Sequence, residues 1–200
     1  MTGEREKHGG RAALFLTLFG AFTLYLPAAF LVRDLWFLIW YAGLLFVLSL
    51  IGYRDALTGK ITKRRCLLLT LAAAPSLFFF PEITVGERVT ALFLTALTLF
   101  LSAGAAERIF HLERPLGGGD IRMILSLSLL LGSRVMDMLL LSCVLEAMYL
   151  LILAVVKRRS LRDLSRKRIA FGPFLSLSAA FSAFSLSVSL TTEAGNGIFF

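Results

Sequence analysis

Two cysteines and two histidines are all that this 200-residue chain contains. Cys66 and Cys143 lie in or beside apolar runs, and no C-x-x-C occurs, which excludes a zinc ribbon and a disulfide framework. His8 lies in the N-terminal tail and His111 in a loop. Neither has ligand or triad spacing around it, so a histidine-built metal site and a Ser-His-Asp triad are not expected. Charge is scarce too: 17% of residues are charged, against 58% hydrophobic. A soluble domain of this size needs far more polar surface than that.

What the chain does have is apolar length. Hydropathy marks seven segments, at about 12–32, 35–52, 66–81, 89–106, 121–132, 133–156 and 170–190. Several approach the ~20 residues with which a helix crosses a hydrocarbon core. The expected fold is all-α: a polytopic transmembrane helix bundle of six or seven spans, forming one domain over residues 1–200. The fifth segment is short, and Gly132-Ser133 separates it from the sixth, so helix–turn–helix is expected there. The first segment is too long for a signal-peptide core and lacks a small-residue cleavage site followed by a soluble mature chain, so it is read as a retained helix.

Orientation follows from the basic residues. With the N-terminus placed in the cytoplasm, seventeen of the 21 Lys and Arg fall in inside loops. They include Lys60, Lys63, Arg64 and Arg65, and the run "KRRSLRDLSRKR" at 157–168. Only Arg33, Arg88 and Arg134 fall outside, and Arg122 lies at a helix start. The net charge of +8 then has a topological origin. Anionic lipid headgroups are its expected partner, each charge near the surface contributing roughly 1 kcal/mol. No basic-aromatic module presents the charge to nucleic acid, which is not expected to bind.

This topology sorts the acids. Asp55 follows the second span in "GYRDALTGKITKRR", and Asp120 precedes the fifth in "RPLGGGDIRM". Two spans separate them, so both are expected at the cytoplasmic membrane face, although 65 residues apart. Two neighbouring carboxylates in a partly dry site resist joint ionisation and share a proton. One then acts as base on a water and the other as acid toward a peptide carbonyl, chemistry that requires no metal or cofactor. The alternative is structural: an aspartate before "IRMILSL" also suits a helix N-cap.

The run Gly117-Gly118-Gly119-Asp120 matches the G-x-G-D motif of intramembrane aspartyl proteases. Its continuation "IRMILSLSLLLG" resembles the type IV prepilin peptidases in particular. Their first motif is an aspartate, a turn glycine, then Ile-Pro-Asn. Here "DALTGKITK" keeps Asp55, Gly59 and Ile61, with Thr62 and Lys63 in place of Pro and Asn. Near the C-terminus, Phe171-Gly172-Pro173-Phe174 resembles the family segment that opens the last span. The resemblance implies a catalytic pair, Asp55 and Asp120, that removes the leader from prepilin-like protein substrates at the cytoplasmic face of the bacterial inner membrane. With about eleven residues before the first span, the chain looks like the compact, protease-only form serving Flp-type pili. It then carries no N-methyltransferase region and no S-adenosylmethionine site. The other G-x-G-D proteases, presenilin-like and signal-peptide-peptidase enzymes, expect Tyr-Asp and Pro-Ala-Leu, where this chain has Arg54-Asp55 and Phe-Gly-Pro. A membrane scaffold or transporter is the non-enzymatic alternative.

Arg122 stands where the family often has lysine, and either supports the negative charge of the pair or snorkels to lipid headgroups. The glycines at 117–119 are expected to let a substrate backbone approach Asp120. Glu146, inside the sixth span, is expected to have a structural role facing the bundle. Ser178, Ser182, Ser185 and Ser189 form one helical stripe, expected to mark helix–helix packing.

Overall fold

A computed structural model of the protein describes residues 20–29, 32, 34–110, 117–157 and 170–196. Residues 12–19 of the first expected span, both histidines, Arg114 and the whole of the basic run after Lys157 lie outside the described residues. Helix α1 covers residues 20–29. It is followed by α2 (Leu35–Thr58), α3 (Lys63–Ala73), α4 (Ser76–Phe79), α5 (Val85–Phe110) and α6 (Gly118–Leu131). A single 3-10 turn, Gly132–Arg134, leads into α7 (Val135–Lys157), and α8 (Gly172–Asn196) completes the order. The described residues contain no strand.

Local chemistry sets the boundaries of α2. Asp34 caps its start, accepting from the N–H of Trp36 at 2.9 Å and of Phe37 at 3.4 Å. Gly59 ends it in the left-handed region, φ 59°, where its N–H reaches Asp55 O at 2.7 Å. The expected span at 66–81 is interrupted: α3 stops at Ala73, and Pro75, which has no N–H to donate, begins the separate turn α4.

Four helical runs are long and apolar enough to cross a membrane: Leu35–Thr58, Val85–Ala105, Gly118–Val156 and Gly172–Ser189. The third is two legs, because Gly132 (φ 58°) and the 3-10 turn fold α7 back along the bundle. That is the turn expected between the fifth and sixth segments. At ~1.5 Å per residue α6 is only about 21 Å long, shorter than a hydrocarbon core.

Helix α2 packs on α8, α3 on α6, α5 on α6 and α7 on α8. Helix α6 is central: Met123, Ile124, Leu127, Leu130 and Leu131 are wholly buried. A seam of hydroxyls joins it to α3, with Thr70 Oγ1 and Ser126 Oγ 2.9 Å apart. The bundle has two distinct ends. At one, Trp40 stacks on Phe79 at 5.0 Å and donates through Nε1 to Ala72 O at 2.7 Å. The other gathers the C-terminal end of α2 and the N-terminal ends of α3, α6 and α8, and holds the site. On α8, Ser178 and Ser182 of the serine stripe are buried within the bundle.

Candidate active site

The second end carries a cleft of about 470 Å³. Asp55, Gly59, Lys60, Ile61, Thr62 and Lys63 line one wall, and Gly117–Asp120 with Arg122 line the other. Two acids far apart in sequence therefore share one cavity, close enough for their charges to interact.

Asp55 sits in the last turn of α2 and is 4% exposed. The C-terminal end of a helix is the wrong end for an anion, because the macrodipole is negative there. The N-terminus of α8 compensates: Gly172 N–H donates to Asp55 Oδ2 at 2.9 Å. A hydrogen bond to a charged group contributes about 1.5–3 kcal/mol, and the α8 dipole adds to it. Here the Phe171-Gly172-Pro173 segment acquires a physical role. Gly172 lies so close that a Cβ on it would meet Asp55 Oδ2 at 2.6 Å. Pro173 lies in the first helical turn, where proline is tolerated. Phe171 packs half-buried against the core. One turn before Asp55, Gly52 lets α2 approach the Pro173 backbone; a Cβ placed on it would lie 3.3 Å from Pro173 Cα.

Asp120 is held the same way. It is not the N-cap of α6; that position is Gly117, and Asp120 lies in the first turn. Its carboxylate reaches back to accept from Gly117 N–H, the geometry of one half of a capping box. The capping alternative is thus correct in kind but wrong in position, and capping leaves the carboxylate in the cleft. A Cβ on Gly117 would fall 2.7 Å from Asp120 Oδ2. Gly117 has φ −69° and ψ 134°, a conformation open to any residue. The need for glycine there comes from the carboxylate.

The three glycines therefore differ. Gly118 has open space where its Cβ would be. Gly119 does not: a Cβ would lie 2.8 Å from Ile61 Cβ and 3.0 Å from Ile61 O. Beside the expectation that all three clear a path for substrate, Gly119 has a packing reason of its own. That glycine lets α6 close on the α2–α3 linker, and Cys66 Sγ approaches its carbonyl at 3.9 Å. Thr62 and Lys63, the departures from the motif, do not prevent a helix from starting: Thr62 is the N-cap of α3, without a side-chain bond.

Arg122 lines the cleft, is exposed, and makes no ion pair with either aspartate among the described residues. Glu146, half-buried on α7, lies within electrostatic reach of Asp120. Lys60, read from sequence only as a topology signal, and Lys63 line the same cavity.

Fold and cleft together define a membrane-embedded helical protein with a paired-carboxylate site. The sequence pattern of the Type IV leader peptidase family matches residues 40–151, and the chain belongs to that family. It is accordingly a peptidase, and both aspartates lie within the matched region. The Phe171–Phe174 segment lies beyond it. Comparison with curated proteins and with solved structures finds no significant match.

Proposed function

We propose that the chain is an aspartyl endopeptidase that removes the leader peptide from prepilin-like precursors, with Asp55 and Asp120 as its catalytic pair. The observation that carries this reading is the shared cleft, in which a glycine N–H orients each carboxylate. The pair holds one proton between its members, since two facing carboxylates resist joint ionisation. The ionised member takes a proton from water as its oxygen bonds to the scissile carbonyl carbon. The protonated member hydrogen-bonds the carbonyl oxygen as negative charge develops there. Collapse of the tetrahedral intermediate breaks the C–N bond, and the leaving amine takes up a proton. Which aspartate starts as base belongs to the pair jointly.

The distribution of basic residues supports a cytoplasmic position for the cleft in the bacterial inner membrane. Six crossings follow if the short legs α3–α4 and α6 also traverse, and seven if the first apolar segment does too. Anionic lipid is the expected neighbour of the basic loops.

The test is co-expression with a pilin-like precursor. Asp55→Asn and Asp120→Asn should each abolish processing while the protein still accumulates in the membrane. Cleavage by either variant would remove that residue from the pair. Sequencing the N-terminus of the mature product locates the cut. A cut inside the apolar helix of the precursor would point to presenilin-like chemistry instead.

A further inference from the structure

Arg88 lies at the end of the bundle opposite the aspartates and is 3% exposed. Sequence alone counts it as a loop charge. In the structure it sits early in α5 with its guanidinium turned inward. Nε donates to Ile83 O at 3.2 Å. Nη1 donates to Ser76 Oγ at 2.8 Å, Leu129 O at 2.6 Å and Leu130 O at 3.1 Å. Nη2 donates to Ser76 O at 3.1 Å and Phe80 O at 3.3 Å. These contacts occupy the planar fork of donors that arginine offers and lysine lacks.

Two of the acceptors identify what the fork holds. Leu129 and Leu130 belong to the last turn of α6, whose carbonyls have no partner within their own helix. The guanidinium caps them and places positive charge at the negative end of the helix dipole. Glu87 lies within electrostatic reach of Arg88 and accepts from Ser133 Oγ at 2.6 Å, which fixes the turn that follows α6. One side chain thus ties α5, the α4 turn and the C-terminal end of α6 together. Asp120 is in the first turn of α6, about 15 Å away at ~1.5 Å per residue. The helix between them is buried in the core and leaves little slack.

We propose that Arg88 is a positioning residue for Asp120: it clamps the far end of α6 and so fixes the register and rotation with which that helix presents Asp120 to Asp55. The effect on turnover rests on the catalytic-pair reading, whereas the effect on cleft geometry does not.

The test uses the full chain with Cys66 and Cys143 replaced by serine and spin labels at Lys60→Cys and Gly118→Cys, one on each cleft wall. Pulsed dipolar spectroscopy should give a narrow distance distribution for this parent. Arg88→Lys and Arg88→Gln should broaden it. In unlabelled protein, kcat per folded molecule on a pilin-like precursor should fall roughly 10- to 100-fold with KM little changed, the scale of a ~1 Å misplacement. If neither variant accumulates, Ser76→Ala removes a single acceptor and should broaden the distribution to a smaller extent. An unchanged distribution overturns the proposal, as does, where Asp120→Asn is inactive, turnover per folded molecule equal to that of the parent. If Asp120→Asn retains cleavage, the catalytic-pair reading fails, while the distance measurement still decides the clamp.

Discussion

At the scale of single residues, the glycines around the cleft separate by what a methyl group would strike. Gly172→Ala puts a carbon 2.6 Å from Asp55 Oδ2 and must displace either the carboxylate or the start of α8. Gly118→Ala meets nothing within 4 Å. Steady-state cleavage should therefore separate the two. Gly172→Ala should lose about 10- to 100-fold in kcat, the scale of a ~1 Å misplacement, while Gly118→Ala should stay near the parent. Equal activity in both would break the link between Gly172 and Asp55. The sequence carried part of this. Asp55, Asp120 and the glycine-rich run stand out because acids and helix breakers are rare in apolar surroundings. Their partnership was hidden, because a backbone N–H donor leaves no mark in side-chain identity. Arg88 was hidden differently: one arginine at a helix start looks the same whether it faces solvent or a fan of carbonyls.

At the scale of elements, the site is a meeting of helix ends. The N-termini of α6 and α8 each supply an N–H to one carboxylate, and the α2–α3 linker packs against Gly119. Gly119→Val would force α6 away from Ile61, and overpacking of this kind costs about 1–3 kcal/mol. Detergent-solubilised protein should melt at lower temperature and cleave poorly. Full stability with full activity would mean that the linker simply moves aside. Periodicity and turn chemistry made the α6–α7 reversal legible through Gly132-Ser133. They did not show that Pro75 divides the third segment, because an apolar run reads alike on either side of a proline.

At the scale of the whole molecule, hydropathy and basic-residue bias were sufficient for class and expected orientation, since both sum over many residues. The pairing of Asp55 with Asp120 was legible only through the motif resemblance; hydropathy and charge bias placed them on one face and no nearer, because their approach depends on which helices pack together. The expected orientation makes its own prediction. In a serine background at Cys66 and Cys143, Lys60→Cys should react with an impermeant maleimide only from the cytoplasmic side. Glu82→Cys, exposed at the opposite end, should react only from outside. Labelling of Lys60→Cys from outside would invert the assignment and put the cleft on the wrong side for a cytoplasmic cut.

The glycine amides that hold both aspartates have a genetic consequence. A side-chain hydrogen-bond donor can be deleted by one codon change, whereas a peptide N–H survives every substitution except proline. The orientation of the two acids is therefore robust to lost atoms and fragile only to added ones. A mutational survey that truncates side chains would find little around the aspartates and would misjudge the site as self-sufficient. The informative library enlarges residues, and at Gly117 and Gly172 the smallest enlargement available is one methyl group.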